Sequence, residues 1–335
     1  MVEQPVSGPL TRRQLFQTGG ATLGAAALGS GLWMNELAAA DTPQTASSAT
    51  PNKSGFRYCL NTSTIRGQKL PLVEEIELIA KAGYQGIEPW IREIEEFQKG
   101  GGKLSELRKR LEDHNLRVES AIGFPQWSVN DDAKRAEGIE TFKRDADLIA
   151  QLGGKFIAAP PIGSHGGDAP MVDLFALAER YGKLLEVGRE IGVTPMVEIW
   201  GPSKNLSRLG EAVFVAVESG QPDACILPDI YHIFRGGSGF DGLRLIEGTK
   251  IPVFHVNDYP ATPGRTEQND SDRVHVGDGV APVDMIFETL HHNGFQGALS
   301  LELFNRSYWE KDAATVLSEG LKKVQGAVAK ALGHS

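Results

Sequence analysis

From Gly55 onward, the chain carries eight short apolar runs of strand length, with helix-length amphipathic segments between them. The runs cover residues 56–60, 86–88, 118–122, 156–159, 196–199, 225–227, 253–256 and 298–301. Their starts lie 30, 32, 38, 40, 29, 28 and 45 residues apart, about the length of a β-strand plus its crossover helix. Eight such units in a row predict a single-domain α/β fold, a closed (β/α)8 TIM barrel over residues 55–332.

The intervening segments agree. Residues 72–82 place Leu72, Ile76, Ile79 and Ala80 on one helical face and stop at Gly83, where glycine favours a left-handed C-cap. Residues 169–191 and 207–219 show similar spacing and end at Gly192 and Gly220. The stretch from Ala82 to Glu88 resembles that from Asn293 to Leu299: a helix end, a glycine turn and a strand.

Residues 1–40 are of another kind. Thr11-Arg12-Arg13-Gln14-Leu15-Phe16 precedes a run rich in Ala, Gly and Leu, and Leu37-Ala38-Ala39-Ala40 offers small residues before Asp41. This reads as a twin-arginine export signal cleaved near Ala40. It implies the export machinery as a partner, a periplasmic or otherwise exported location, and no stable membrane insertion after cleavage. The apolar stretch is too short and too diluted by Gly and Thr to be a span. Residues 41–54, polar and without periodicity, read as a disordered linker.

Removing the signal takes away two basic and two acidic residues and leaves 32 basic against 41 acidic, a net charge of −9. Such an acidic chain gains no counterion-release attraction to nucleic acid. Cys59 and Cys225 each lie within an apolar run and are expected as buried free thiols. Homo-oligomer formation is left open.

Four consecutive strand-like runs each carry one ligand-type side chain at their carboxyl end: Glu198, Asp229, His255 and Glu302. In a parallel barrel that end bears the active site, and adjacent strands let the four converge. Two Glu, one Asp and one His suit a divalent cation such as Mn, Zn, Co or Mg.

With Asp229-x-x-His232, His255-Val256-x-Asp258, Leu301-Glu302 and Arg273-x-x-x-Gly277-Asp278-Gly279 added, the ordered set resembles the xylose-isomerase-like barrel superfamily of sugar isomerases and epimerases, inosose dehydratases and endonuclease IV relatives. The resemblance covers roughly residues 55–330. It implies one divalent metal held by Glu198, Asp229, His255 and Glu302, the two Glu also moving protons, and His232 contacting a substrate oxygen. The nuclease branch fits poorly: its extra metal-binding histidines have no counterparts in register, with Pro160-Pro161 after strand four and Arg273 in the strand-seven loop.

The expected substrate is a sugar or cyclitol. With a carbonyl polarised by the metal, one glutamate takes the proton from the neighbouring carbon and the other returns one, so that epimerisation or isomerisation proceeds through an enediolate. A leaving group β to that carbon turns the same first step into elimination, which keeps a keto-sugar or inosose dehydratase as the rival. A non-catalytic, metal-assisted sugar-binding protein is the reading from another class, and the paired glutamates favour the enzyme.

Glu88, Trp90, Trp127 and Trp200 follow strands two, three and five, where aromatic faces stack on sugar rings. Together with His232, Arg265 and Arg273 they are the expected substrate-binding set. Asp258 is expected behind His255, as acceptor of its second ring N–H. Gly237-Ser238-Gly239-Phe240-Asp241-Gly242 matches G-x-G-x-x-G but begins ten positions after Leu227. A dinucleotide fingerprint needs its turn directly after the strand, so these residues are expected as a flexible loop.

Overall fold

The computed structural model describes residues 55–333, and they form the expected barrel. The export signal, residues 1–40, and the linker, residues 41–54, lie outside the described residues. The strands are β1 (Arg57–Asn61), β2 (Gly86–Glu88), β3 (Arg117–Val118), β4 (Phe156–Ala159), β5 (Thr194–Glu198), β6 (Ile226–Leu227), β7 (Val253–Val256) and β8 (Ala298–Leu301). The helices are α1 (Leu72–Ala82), α2 (Ile91–Lys99), α3 (Leu104–Asp113), α4 (Asp132–Gln151), α5 (Leu174–Ile191), α6 (Leu209–Glu218), α7 (Ile230–Gly236), α8 (Val283–His292), α9 (Arg306–Trp309) and α10 (Ala313–Ala331).

Every strand pair is parallel, in the orders β3-β2-β1-β8-β7 and β4-β5-β6. Single contacts join the two ladders into a ring. The Ala158 N–H donates to the Ala121 carbonyl at 2.9 Å, and the His255 N–H to that of Pro228 at 2.9 Å. Asp229 and His255 form a parallel bridge at the second join. Glu198, Asp229, His255 and Glu302 are thereby set on neighbouring staves of one barrel.

Some boundaries differ from the sequence reading. Helix α5 begins at Leu174 rather than at 169, because the Asp173 carboxylate accepts from the N–H groups of Phe175 and Ala176 and caps it there. Strand β3 ends at Val118 instead of running to Ile122, although Ile122 still bridges Trp90. Residues 237–242 are an ordered continuation rather than a loose loop: Gly237, at φ 77°, closes α7, and a 3-10 turn, Phe240–Leu245, follows.

Two apolar layers result from the two-residue strand period. Cys59, Ala158, Met196, Cys225, Leu227, Val253 and Ala298 fill the barrel interior, whereas Leu60, Ile87, Val197, Phe254, Val256, Leu299 and Leu301 belong to the larger cluster beneath the helices. Both cysteines are buried and free. Among the described residues, no helix is long and apolar enough to cross a membrane.

Helix α1 buries an acid along with its apolar face. Glu75 is 3% exposed and its Oε2 has no partner. Burial first, and then neighbouring Glu93, pushes its pKa up to about 9. The folded state therefore holds a proton that the unfolded chain gives up near pH 4.3. Stability from this group is full below that pH and declines as pH rises towards about 9. Glu75→Gln should raise the melting temperature at pH 8, an effect of about 1 kcal/mol or more, and leave it unchanged near pH 4, as calorimetry at the two pH values would show.

Candidate active site

The interior face that carries Cys59, Met196, Leu227, Val253 and Ala298 becomes polar two to four residues further along each strand. Asn61, Glu88, Glu198, Asp229, His255, Asn257, Ser300 and Glu302 all lie there, and all are buried. Asp229, His255 and Glu302 each offer one ligand atom to a group whose atoms lie within 4.8 Å of one another. Glu198 stands outside that tight group but lines the same cavity as Glu302.

His255 is fixed from behind. Its Nε2 lies 2.9 Å from Glu88 Oε2, which also accepts from Ser300 Oγ at 2.8 Å and from Asn61 Nδ2 at 2.9 Å. The other nitrogen, Nδ1, faces Glu302 Oε2 at 3.3 Å and Asp229 Oδ2 at 3.7 Å and has no hydrogen-bond partner. Burial alone would lower the pKa of His255, but Glu88 and Glu302 outweigh it and raise it well above the ordinary value. Glu88 is held below the usual carboxylate range in turn, its burial offset by His255.

Glu88 is therefore not the substrate contact that its position after strand two suggests. It takes the place expected of Asp258. The Asp258 carboxylate accepts instead from the backbone N–H groups of Tyr259, Gly277 and Ala281 at 2.8, 3.0 and 2.9 Å. It anchors the loop that carries Arg273. Gly279 permits this approach, since a Cβ there would lie 2.2 Å from Asp258 Oδ1.

Arg273 is a permanent cation buried among these acids. Its Nη1 donates to Asp229 Oδ2 at 3.0 Å and to Glu302 Oε2 at 2.8 Å, and its Nη2 donates to Asp270 at 2.8 Å and lies 3.1 Å from His232 Nε2. Burial alone would raise the pKa of Glu302, but His255 and Arg273 outweigh it and hold the group below the usual carboxylate range. Burial, reinforced by Arg273, pushes His232 down to about 4. Glu198 shows the reverse balance: burial raises it to about 8, and its Oε2 has no partner.

Asp229 has two duties. Oδ1 accepts from the His232 N–H at 2.8 Å and caps α7, while Oδ2 faces the site. Asn257 donates to Oδ2 at 3.1 Å and accepts from the Tyr231 N–H at 2.9 Å.

A cavity of about 340 Å³ opens above these groups, lined by Glu198, Glu302, His232 and Arg273 below and by Trp90, Phe124, Trp200 and Phe304 above. Besides Glu88, two further expected substrate residues are elsewhere. Trp127 is fully buried, donating its indole N–H to the Pro160 carbonyl at 2.9 Å and packing on Tyr181. Arg265 donates to the Arg235 carbonyl at 3.1 Å, on the outer side of α7. The sequence reading missed Asn61, Asn257, Ser300, Asp270 and Phe304. For Asn61, Asn257 and Ser300 the alternation of strand faces was the available signal.

The fold and this ordered set of residues match a family model described as the xylose isomerase-like TIM barrel, over residues 76–325. The chain belongs to that family. An inosose isomerase of Bacillus velezensis is 24% identical over 277 residues, 82% of this chain and 98% of the relative. The inosose isomerase of Bacillus subtilis is 23% identical over 281 residues, 82% of this chain and 99% of its own. A crystal structure of IolI protein with a bound zinc atom superposes with a TM-score of 0.76 at 23% identity, covering 82% of this chain and 99% of that one. An L-ribulose 3-epimerase structure has a TM-score of 0.68 at 20% identity, covering 83% and 96%.

The donor set suits a divalent cation. Four buried carboxylates, Glu88, Glu198, Asp229 and Glu302, share the barrel end with the imidazoles of His255 and His232 and the Arg273 guanidinium, and the unpartnered His255 Nδ1 faces the carboxylates of Asp229 and Glu302. Mixed oxygen and nitrogen donors of this kind are shared by Zn, Mn, Co and Mg sites. Asp229→Asn and His255→Ala should abolish divalent-metal binding in calorimetric titration, and Glu88→Gln, one bond removed, should weaken it about 10- to 100-fold.

Proposed function

We propose that the protein is a divalent-metal-dependent isomerase or epimerase acting on a sugar or cyclitol. The observation that carries this reading is the pair Glu198 and Glu302: both are buried, both line one cavity, and they stand at the end of β5 and just past β8, on either side of Asp229 and His255. The names of the relatives, inosose isomerases and ketose epimerases, support it.

A divalent ion held by Asp229, His255 and Glu302, with Glu198 facing the same space, would supply Lewis acidity to substrate oxygens. The chain's own groups do the rest. Glu88 keeps the His255 ring oriented. Arg273 and His232 offer polar contacts to a substrate oxygen at the cavity floor. One of the two glutamates takes the proton from the carbon next to the carbonyl and the other returns one, and their buried setting keeps competing water away. We also propose that residues 1–40 direct export by the twin-arginine route.

The test is proton exchange. Incubation of the metal-loaded protein with ketoses and inososes in deuterium oxide should place one deuterium next to the carbonyl, detected by NMR. Glu198→Gln and Glu302→Gln should each lower the exchange rate by roughly 10²- to 10⁴-fold. Absence of exchange with every compound would overturn the reading, and exchange accompanied by loss of water would move it to a dehydratase.

A further inference from the structure

The cavity floor carries the groups suited to the reacting end of a substrate: Glu198, Glu302, His232 and Arg273. The upper wall is of another kind. Its rings can stack on the C–H face of a sugar or cyclitol, but its polar handles are largely taken up by the protein itself. The Trp90 indole N–H donates to Asn61 Oδ1 at 3.0 Å, and the Trp200 side chain hydrogen-bonds Glu198. Ser203, also in the wall, donates its hydroxyl to the Asn205 carbonyl at 2.5 Å. A substrate hydroxyl desolvated against such a wall without a partner weakens binding.

His165 breaks that pattern. It lines the same cavity, half-buried and edge-on to Trp200, with ring centroids 5.3 Å apart. Its Nδ1 accepts from the Gly163 N–H at 3.2 Å, and an Nδ1 that accepts leaves the ring N–H on Nε2. Nε2 makes no hydrogen bond to any described residue. The wall thus offers an N–H that has no acceptor in the protein.

The backbone around this ring is held in place. The Lys204 N–H donates to the His165 carbonyl at 2.9 Å. Asn205, 2% exposed, donates to the carbonyls of Ser164 and Pro170 at 2.8 and 3.0 Å and accepts from the Val172 N–H at 2.8 Å. Ser164 Oγ lies 2.7 Å from Ser128 Oγ. These bonds tie the loop after β4 to the loops after β3 and β5, and Glu198 ends β5. His165 is therefore placed relative to that glutamate before any ligand arrives, and a donor placed in advance loses little freedom on binding.

Building on the isomerase reading, we propose that His165 determines specificity: its Nε2–H donates to a substrate hydroxyl remote from the carbonyl. It thereby selects a polyhydroxylated ketone over one that lacks oxygen at that position. The residue takes no part in proton transfer; it holds the far end while the glutamates act on the near one.

Calorimetric titration of the metal-loaded protein with D-fructose, scyllo-inosose and the monodeoxy analogues of each tests the proposal. One analogue lacking a remote hydroxyl should bind about five- to tenfold more weakly than its parent. His165→Phe keeps a ring against Trp200 but has no N–H. It should weaken the parent by the same factor and leave that analogue within about twofold, so that the discrimination disappears. His165→Asn, whose amide reaches the Gly163 N–H but not the cavity, should act likewise. His165→Gln, whose amide nitrogen falls near the place of Nε2, should keep the discrimination. In proton exchange the loss should appear in KM, with kcat little changed. Unchanged parent binding in both His165→Phe and His165→Asn, or a loss equal for the parent and every analogue, would overturn the proposal. Either result alongside proton exchange leaves the isomerase reading standing. Discrimination that depends on His165, without exchange in any compound, would sink the isomerase reading alone. Binding of none of the compounds would sink both.

Discussion

The site depends on a hydrogen bond that no substrate meets: His255 Nε2 to Glu88 Oε2, inside the barrel at 2.9 Å. Without it the imidazole has two equivalent ends and no reason to turn Nδ1 towards Asp229 and Glu302. A buried carboxylate is costly unless it is paired, and here Glu88 is matched by His255, Ser300 and Asn61 together. That network ties β1, β2, β7 and β8 to one another through side chains, just where their backbone ladder also runs.

Much of this was legible in the chain. The spacing of eight apolar runs gave the barrel, and ligand-type residues at the ends of strands five to eight pointed to Asp229, His255 and Glu302, which the structure groups within 4.8 Å, and to Glu198, which lines the same cavity as Glu302. Both signals rest on rules that act locally: strand length, crossover length, and the polarity of a parallel barrel. The errors came where sequence position is a poor guide to direction. Trp127 and Glu88 both follow strands at the correct end, yet one packs into the core against Tyr181 and the other points beneath the site. Asp258, three residues after His255, lies past the strand end, where the backbone has turned and the carboxylate meets loop N–H groups instead.

The strand period separates these cases better than proximity does. Counting two residues from the apolar interior, Cys59 leads to Asn61, Val253 to His255 and Asn257, and Ala298 to Ser300 and Glu302. Arg273 could not be placed that way, because a long loop delivers it. Its burial amid Asp229, Asp270 and Glu302 depends on the anchorage of that loop by Asp258 and on the close approach at Gly279.

The double duty of Asp229 limits how the family's chemistry can vary in this chain. One oxygen starts a helix and the other faces the site, so the donor atom that Asp229 offers there and the seating of His232 are inherited together. A longer acid at this position would shift the helix start and, with it, the imidazole three residues on. Evolution can therefore retune this centre more freely at Glu198, which caps nothing, than at Asp229.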